Sequence, residues 1–202
     1  MNPIHNASSA IVQYLDSLLL DEGASSNEGL LIANREHYAG ELRQAGTGDE
    51  ADRNALQLLF FKVGEIPLAI TQEIIAEVVE VGRSSLEPVT SKDGMLIRQF
   101  KYNGQDVGIL DARDIILPDG HPARQVKEND GNTYILMFKR AGCGLMCDHV
   151  GEVVKLGRQE VEWRLKRTSR LWLAGMVKAS KRALLDEKEI IYIADRALNS
   201  SH

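Results

Sequence analysis

Aromatic side chains are scarce in this sequence, at 5% of 202 residues. A core built from it rests on Leu, Ile and Val. Cysteine is scarcer, with two residues, which excludes a disulfide-stapled scaffold. The 5 prolines and 17 glycines are too few for a collagen-like chain. No apolar run approaches the roughly 18 residues that span a bilayer, so direct membrane insertion is not expected. The N-terminus has no basic stretch followed by an apolar one, so a secretory signal is not expected either. What is present, 44% apolar and 26% charged residues, suits a globular protein in the reducing cytoplasm.

The net charge of -5 is unevenly spread. Residues 1–54 carry nine acids and three bases, while 55–202 is close to neutral. An acidic chain is a poor partner for nucleic acid, because phosphate neutralisation supplies most non-specific affinity.

Two units are expected. Residues 1–54 form an acidic extension. Ser8 or Ser9 caps a first helix and Gly23 ends it, with Ile11, Leu15, Leu18 and Leu19 on one stripe and Tyr14 beside it. A weaker helix over about 29–45 and a polar linker over 46–54 complete the extension. The stripe either packs on the rest of the protein or docks in a partner's groove; partner docking is the favoured expectation. Residues 55–202 read as short strands: Leu56–Val63, Ile66–Ile70, Glu77–Val81, a hairpin from Met95 to Leu110 around Asn103-Gly104, and a second from Thr133 to Cys147. Val150–Leu156, Trp172–Val177 and Ala183–Leu185 follow, and a helix over Glu187–Leu198 closes the chain. Without a strand–helix alternation, the fold class is all-β, of small-barrel or sandwich type.

The search for chemistry finds little. There is no phosphate-binding loop and no nucleophile elbow, and the Gly46-x-Gly48 pair stands in a linker. On a strand, Cys143 and Cys147 lie about 13 Å apart, beyond the roughly 7 Å a disulfide allows. His149 continues their face, but the three span about 20 Å, too far for one zinc ion. Asp148 and His149, as strand neighbours, point to opposite faces and form no dyad. No catalytic residue, metal or cofactor is therefore expected. Lys155 to Arg170 carries six bases and two acids, with Trp163 inside it and Trp172 just beyond. Trp and Arg concentrate binding energy, so a protein-docking face competes here with a solvated loop. A single-stranded nucleic-acid module of small-barrel type is the alternative from another class.

Four segments in order resemble the CheW-like domain, the adaptor module of chemotaxis arrays. They are Leu58–Gly64 with Ile66–Ile70, Val107–Arg113, Gly144–Val154, and Trp172–Val177 with Ala183–Asp186. The resemblance covers about 145 residues. It implies a pair of intertwined five-stranded SH3-like barrels, no catalysis, and coupling of chemoreceptor cytoplasmic tips to the regulatory domain of a CheA-type histidine kinase. Glu162-Trp-Arg164, Leu171–Gly175 and Asp111-Ala-Arg113 with Leu117-Pro118 are similar to a ParP-type subgroup. That implies a polar address and a ParC-type localisation ATPase as partner of the extension. An ordinary receptor–kinase coupling protein is the alternative. The extension holds one proline where the subgroup has a Pro-rich region, and Lys101-Tyr-Asn-Gly104 stands where coupling proteins carry N-L-R-G. The partner-binding residues implied are Trp172, Leu173, Trp163, Arg164, Asp111 and Arg113. Trp172 is alternatively a core residue. Asp111 and Arg113 are alternatively an internal pair, or a cap for a short helix beginning at Asp114.

Overall fold

A computed structural model describes residues 55–90, 96–118, 120–121, 124, 131–139, 142–164 and 169–199. The helices expected within 1–54, and with them Ile11, Tyr14, Leu15, Leu18 and Leu19, lie outside the described residues.

Among the described residues, twelve strands form two sheets. They are β1 (Ala55–Val63), β2 (Ile66–Thr71), β3 (Ile75–Gly82), β4 (Glu87–Thr90), β5 (Leu96–Tyr102), β6 (Gln105–Asp111), β7 (Asn132–Phe138), β8 (Cys143–Cys147), β9 (His149–Gly157), β10 (Val161–Trp163), β11 (Leu173–Val177) and β12 (Arg182–Leu185). Helix α1 (Ala112–Ile116) follows β6, and α2 (Glu187–Asn199) follows β12. Sheet 1 has the order β10-β11-β12-β2-β1-β9, and sheet 2 the order β3-β7-β8-β6-β5-β4.

The edges explain the barrel count. The two edge strands of sheet 2, β3 and β4, are joined by the three-residue 3-10 turn Arg83–Ser85. Those of sheet 1, β9 and β10, are joined by Arg158–Glu160. One bent stretch of chain thus serves both edges, which curls each sheet into a barrel. Each barrel then consists of five chain segments and six hydrogen-bonded strands, in keeping with the paired five-stranded barrels expected. Curling also limits the open backbone that an edge would otherwise present.

The chain is internally duplicated. Glu77-Val-Val79 and Gly82-Arg83 recur as Glu152-Val-Val154 and Gly157-Arg158, each 75 positions on. At the same spacing, Leu110-Asp111 and Ile115-Ile116 before and in α1 recur as Leu185-Asp186 and Ile190-Ile191 at α2. Strands β1 to β6 therefore correspond to β7 to β12. The two halves exchange hairpins: β1 and β2 complete the sheet of β9–β12, and β7 and β8 complete that of β3–β6. This exchange is why β2–β12 and β6–β8 are the parallel pairs, whereas consecutive strands pair antiparallel.

Alternation places the core. In β1, Leu58 and Phe60 point into barrel 1 with Val161, Val177 and Leu184. Their counterparts in barrel 2 include Ile135, Leu86 and Ile109. The other face of β1, Leu59, Phe61 and Val63, joins Leu136, Phe138, Ile97, Trp172 and the α2 residues Ile190 and Ala194 in a larger core between the barrels. A strand buried on both faces needs apolar residues in succession, which is what Leu-Leu-Phe-Phe supplies. The Asn103-Gly104 hairpin forms as expected: both residues have positive φ, 50° and 79°. That pair of left-handed residues suits the twist of β5 and β6, and asparagine and glycine accept it at low cost.

Candidate protein-docking site

Where the chain leaves β8 in sheet 2 for β9 in sheet 1, Asp148 interrupts the strand. It is a bend between two sheets, so it and His149 are not neighbours on one strand as the sequence suggested. Its amide donates to the Lys62 carbonyl at 3.0 Å. Its carboxylate accepts from the Gly64 amide in the β1–β2 turn, from Arg83 Nη2 at 2.5 Å, and from Arg113 Nη2. One side chain thereby joins three segments drawn from both sheets. The side chains of Arg83 and Arg113 are 8% and 6% exposed, so these are internal, charge-assisted contacts.

Asp111 completes the cluster. Its Oδ1 accepts the Arg113 amide at 2.9 Å, capping α1, and lies 3.5 Å from Arg113 Nη1. Burial pushes the Asp111 carboxyl up from its ordinary value, opposed by the amide and charge of Arg113. The helix begins at Ala112, two residues before the expected start at Asp114, because Asp111 is its cap. The internal-pair and capping alternatives thus describe what Asp111 and Arg113 do within the fold. The role of Asp148 was not read from the sequence. Its signal was the Cys147-Asp148 step at the end of a fully apolar strand, where an isolated carboxylate requires a partner.

Trp172 is 7% exposed and sits in the core between the barrels, at the repeat position of Ile97. Leu173 is buried with it. Of the two alternatives for Trp172, the structure takes the core position. The side chains that remain at the surface belong to β10 and its surroundings. Trp163 is half-buried; its Nε1 donates to the Arg158 carbonyl at 2.9 Å, and the Arg158 guanidinium lies 5.1 Å from its ring centroid. Arg164 follows it, with Nη1 donating to the Arg170 carbonyl at 2.9 Å and its amide to the Ala174 carbonyl. Strands β10 and β11 approach closely at Gly175, where a β-carbon would stand 2.5 Å from the Glu162 carbonyl oxygen. Leu171, just before the buried pair, is 45% exposed. Trp163, Arg164 and Leu171 therefore form the rim of barrel 1, while Asp111 ends β6 of barrel 2 and Arg113 lies in α1.

Cys143 and Cys147 are fully buried in β8, and burial pushes both thiols up to about 12. His149 is exposed at the start of β9, in the other sheet. Among the described residues no three His, Cys, Asp or Glu side chains are grouped as a metal ion requires. No helix among them is long and apolar enough to cross a membrane.

No protein-family model matches the chain, and no curated protein does. Among solved structures, the crystal structure of the scaffolding protein TtCheW from Thermoanaerobacter tengcongensis is similar to it. The identity is 16% and the TM-score 0.47, over 64% of this chain and 86% of that one.

Proposed function

We propose that this protein is a non-enzymatic adaptor of chemotaxis signalling arrays. In this reading it docks on the regulatory domain of a CheA-type histidine kinase and on chemoreceptor cytoplasmic tips. The observation that carries it is the placement of the family-like segments. Leu58–Ile70 supplies β1 and β2, Val107–Arg113 supplies β6 and the cap of α1, Gly144–Val154 spans the crossing at Asp148, and Leu173–Asp186 supplies β11 and β12. These segments build the exchanged hairpins and the junction between barrels, the features that distinguish paired, intertwined barrels from two separate ones.

Half-buried Trp163 and Arg164, with exposed Leu171 beside them, provide the docking rim. An aromatic and an arginine at a polar rim are the residue types that dominate interface energetics. Trp172 and Leu173 belong to the core between the barrels, and Asp111 and Arg113 to the junction. The stripe Ile11, Tyr14, Leu15, Leu18 and Leu19 is assigned to a second partner, for which a ParC-type ATPase at the cell pole is the candidate. An ordinary cytoplasmic coupling protein is the nearest alternative.

Calorimetry of the full-length protein with the purified kinase regulatory domain, at physiological salt, tests the reading. Micromolar or tighter binding is expected. Trp163→Ala should weaken it by about 2 kcal/mol while the unfolding transition stays cooperative. Absence of binding by the unmodified protein sinks the kinase-adaptor reading. Binding that Trp163→Ala and Arg164→Ala leave unchanged moves the interface elsewhere on the barrels.

A further inference from the structure

The duplicated halves differ in charge. Residues 149–186, which supply four of the six strands of barrel 1, carry nine bases and four acids, net +5. The corresponding residues 74–111 carry four bases and six acids, net -2. One of the added bases stands where barrel 2 is sealed by apolar side chains. Val107 and Met137 belong to the core of barrel 2, and each is 7% exposed. Arg182 holds the position of Val107 in barrel 1. Phe60 holds that of Met137, because Phe61 pairs with Val150 as Phe138 pairs with Ile75. The Arg182 guanidinium lies 4.4 Å from the Phe60 ring centroid.

That guanidinium is poorly served by its own chain. Its Nε is buried without an acceptor, and Nη1 has only the Phe61 carbonyl, at 3.5 Å. Burial lowers the Arg182 pKa, and the charge of Glu152, exposed at the bulge of β9, opposes the shift. An arginine stays charged, so its lost hydration is a cost that acceptors or an anion must offset. Two more cations share this end of the barrel. Lys62 follows Phe60 on the same face of β1, and its register partners are Pro67 in β2 and His149 in β9. Ala183 pairs with Leu68, which sets Arg182 beside Pro67. Arg182, Pro67, Lys62 and His149 thus cross four adjacent strands. Lys62 is half-buried and His149 exposed. Among the described residues, no carboxylate forms an ion pair with any of the three cations. Strands spaced by about 4.8 Å set the outer two up to about 14 Å apart. One small anion cannot meet cations spread so far, whereas a chain segment with carboxylates at intervals can.

We infer that this end of barrel 1, at Arg182, Lys62 and His149, is a docking site for an acidic segment of a partner protein. One carboxylate meets the Arg182 guanidinium above Phe60, in a charge-assisted hydrogen bond, and others meet Lys62 and His149. Glu152 is the internal competitor for the same cations. Barrel 2 has no such site, since Val107, Lys139 and Ile74 hold the corresponding positions and leave one cation there. The inference does not depend on the adaptor reading and is tested without the kinase.

The test titrates a hexaglutamate peptide with blocked ends into the full chain at 150 mM NaCl and follows the backbone amide signals. Binding on the order of 1 mM or tighter is expected. The signals of Lys62, His149 and Arg182 should shift, and those of Lys139, Ile74 and Val107 should not. Arg182→Val with His149→Ile, which installs the residues of barrel 2, should weaken the affinity tenfold or more. Lys62→Glu, which leaves Arg182 and the core untouched, should weaken it by a similar factor. Glu152→Gln removes the competing carboxylate and should tighten it several-fold. Lys155→Glu with Lys178→Glu, reversals elsewhere on barrel 1, should change it less than threefold. A loss from that pair as large as from Lys62→Glu, or shifts centred on Lys155 and Lys178, overturns the inference, because the peptide would then read net charge alone. No binding at 5 mM peptide also overturns it. So does inorganic phosphate giving the same shifts with equal affinity at matched ionic strength, since the site would then be a small-anion pocket.

Discussion

Barrel 1 and barrel 2 are built from the same six-strand unit, yet the unit is tied down at one end and open at the other. After β6, Arg113 reaches Asp148 and Asp111, and Arg83 reaches Asp148 from the turn behind β3. At the corresponding positions 75 residues away stand Lys188, Asp186, Arg158 and Glu73. Lys188 and Glu73 are exposed, and Arg158 packs over Trp163. The cap is kept in both halves, with Asp186 Oδ1 accepting the Lys188 amide at 3.0 Å and the Glu189 amide at 3.3 Å. The difference shows that duplication conserved the strand frame and the helix caps, while the charges diverged. One crossing became a buried ionic junction, and the opposite barrel became a basic surface.

The core offers the largest test of how alike the halves are. Trp172→Ala should cost about 3–5 kcal/mol, and Ile97→Ala at the matching position about 2–5, both read from chemical denaturation. A Trp172→Ala protein of unchanged stability would remove Trp172 from the core and return it to the interface. Next comes the junction. Arg113→Ala leaves Asp148 with Arg83 and the Gly64 amide, and Asp111 without its guanidinium, and should cost about 2 kcal/mol, whereas Lys188→Ala should cost less than about 0.5. Equal losses at the two positions would mean that the ionic junction contributes nothing beyond the frame.

The thiols of β8 sharpen the contrast further, because Leu68 in barrel 1 stands where Cys143 stands in barrel 2 and cannot titrate. Both thiol values are raised in the folded protein, so the buried neutral forms stabilise it fully below about pH 9, the ordinary thiol value. That contribution is lost as the pH climbs from about 9 towards about 12. At pH 10 the loss should be on the order of 1 kcal/mol per thiol, and Cys143→Ala with Cys147→Ala should flatten this part of the pH profile. The smallest effect belongs to the shared caps. Asp186→Ala should cost about 1 kcal/mol, and Asp186→Asn much less, since asparagine also caps. A larger loss for Asp186→Asn would show that its charge matters as well as its cap.

Much of the strand plan was legible in the residues. Asn103-Gly104 names its hairpin because few other pairs accept two left-handed conformations. The run Leu58-Leu-Phe-Phe61 announces a strand covered on both faces. Glu187–Asn199 keeps the apolar period expected of a closing helix. The site was less legible. Trp172 sits beside a basic segment, which suggests an interface, but its burial is decided by Ile97, Phe61 and α2, all distant in sequence. The spacing of Asp111 and Arg113 shows that they share a neighbourhood, but not that Asp148 completes it. That third member arrives through the exchange of hairpins, a contact between segments 35 residues apart.

By itself the sequence determined the local elements of this protein, because turn chemistry, alternation and capping act over a few residues. It also determined where the charge lies. Which hairpin completes which barrel, and which charged side chains meet at the crossing, was decided only in the tertiary structure. There the closing of two sheets brings together residues that no local pattern connects, and burial makes unpaired charges too costly to leave apart.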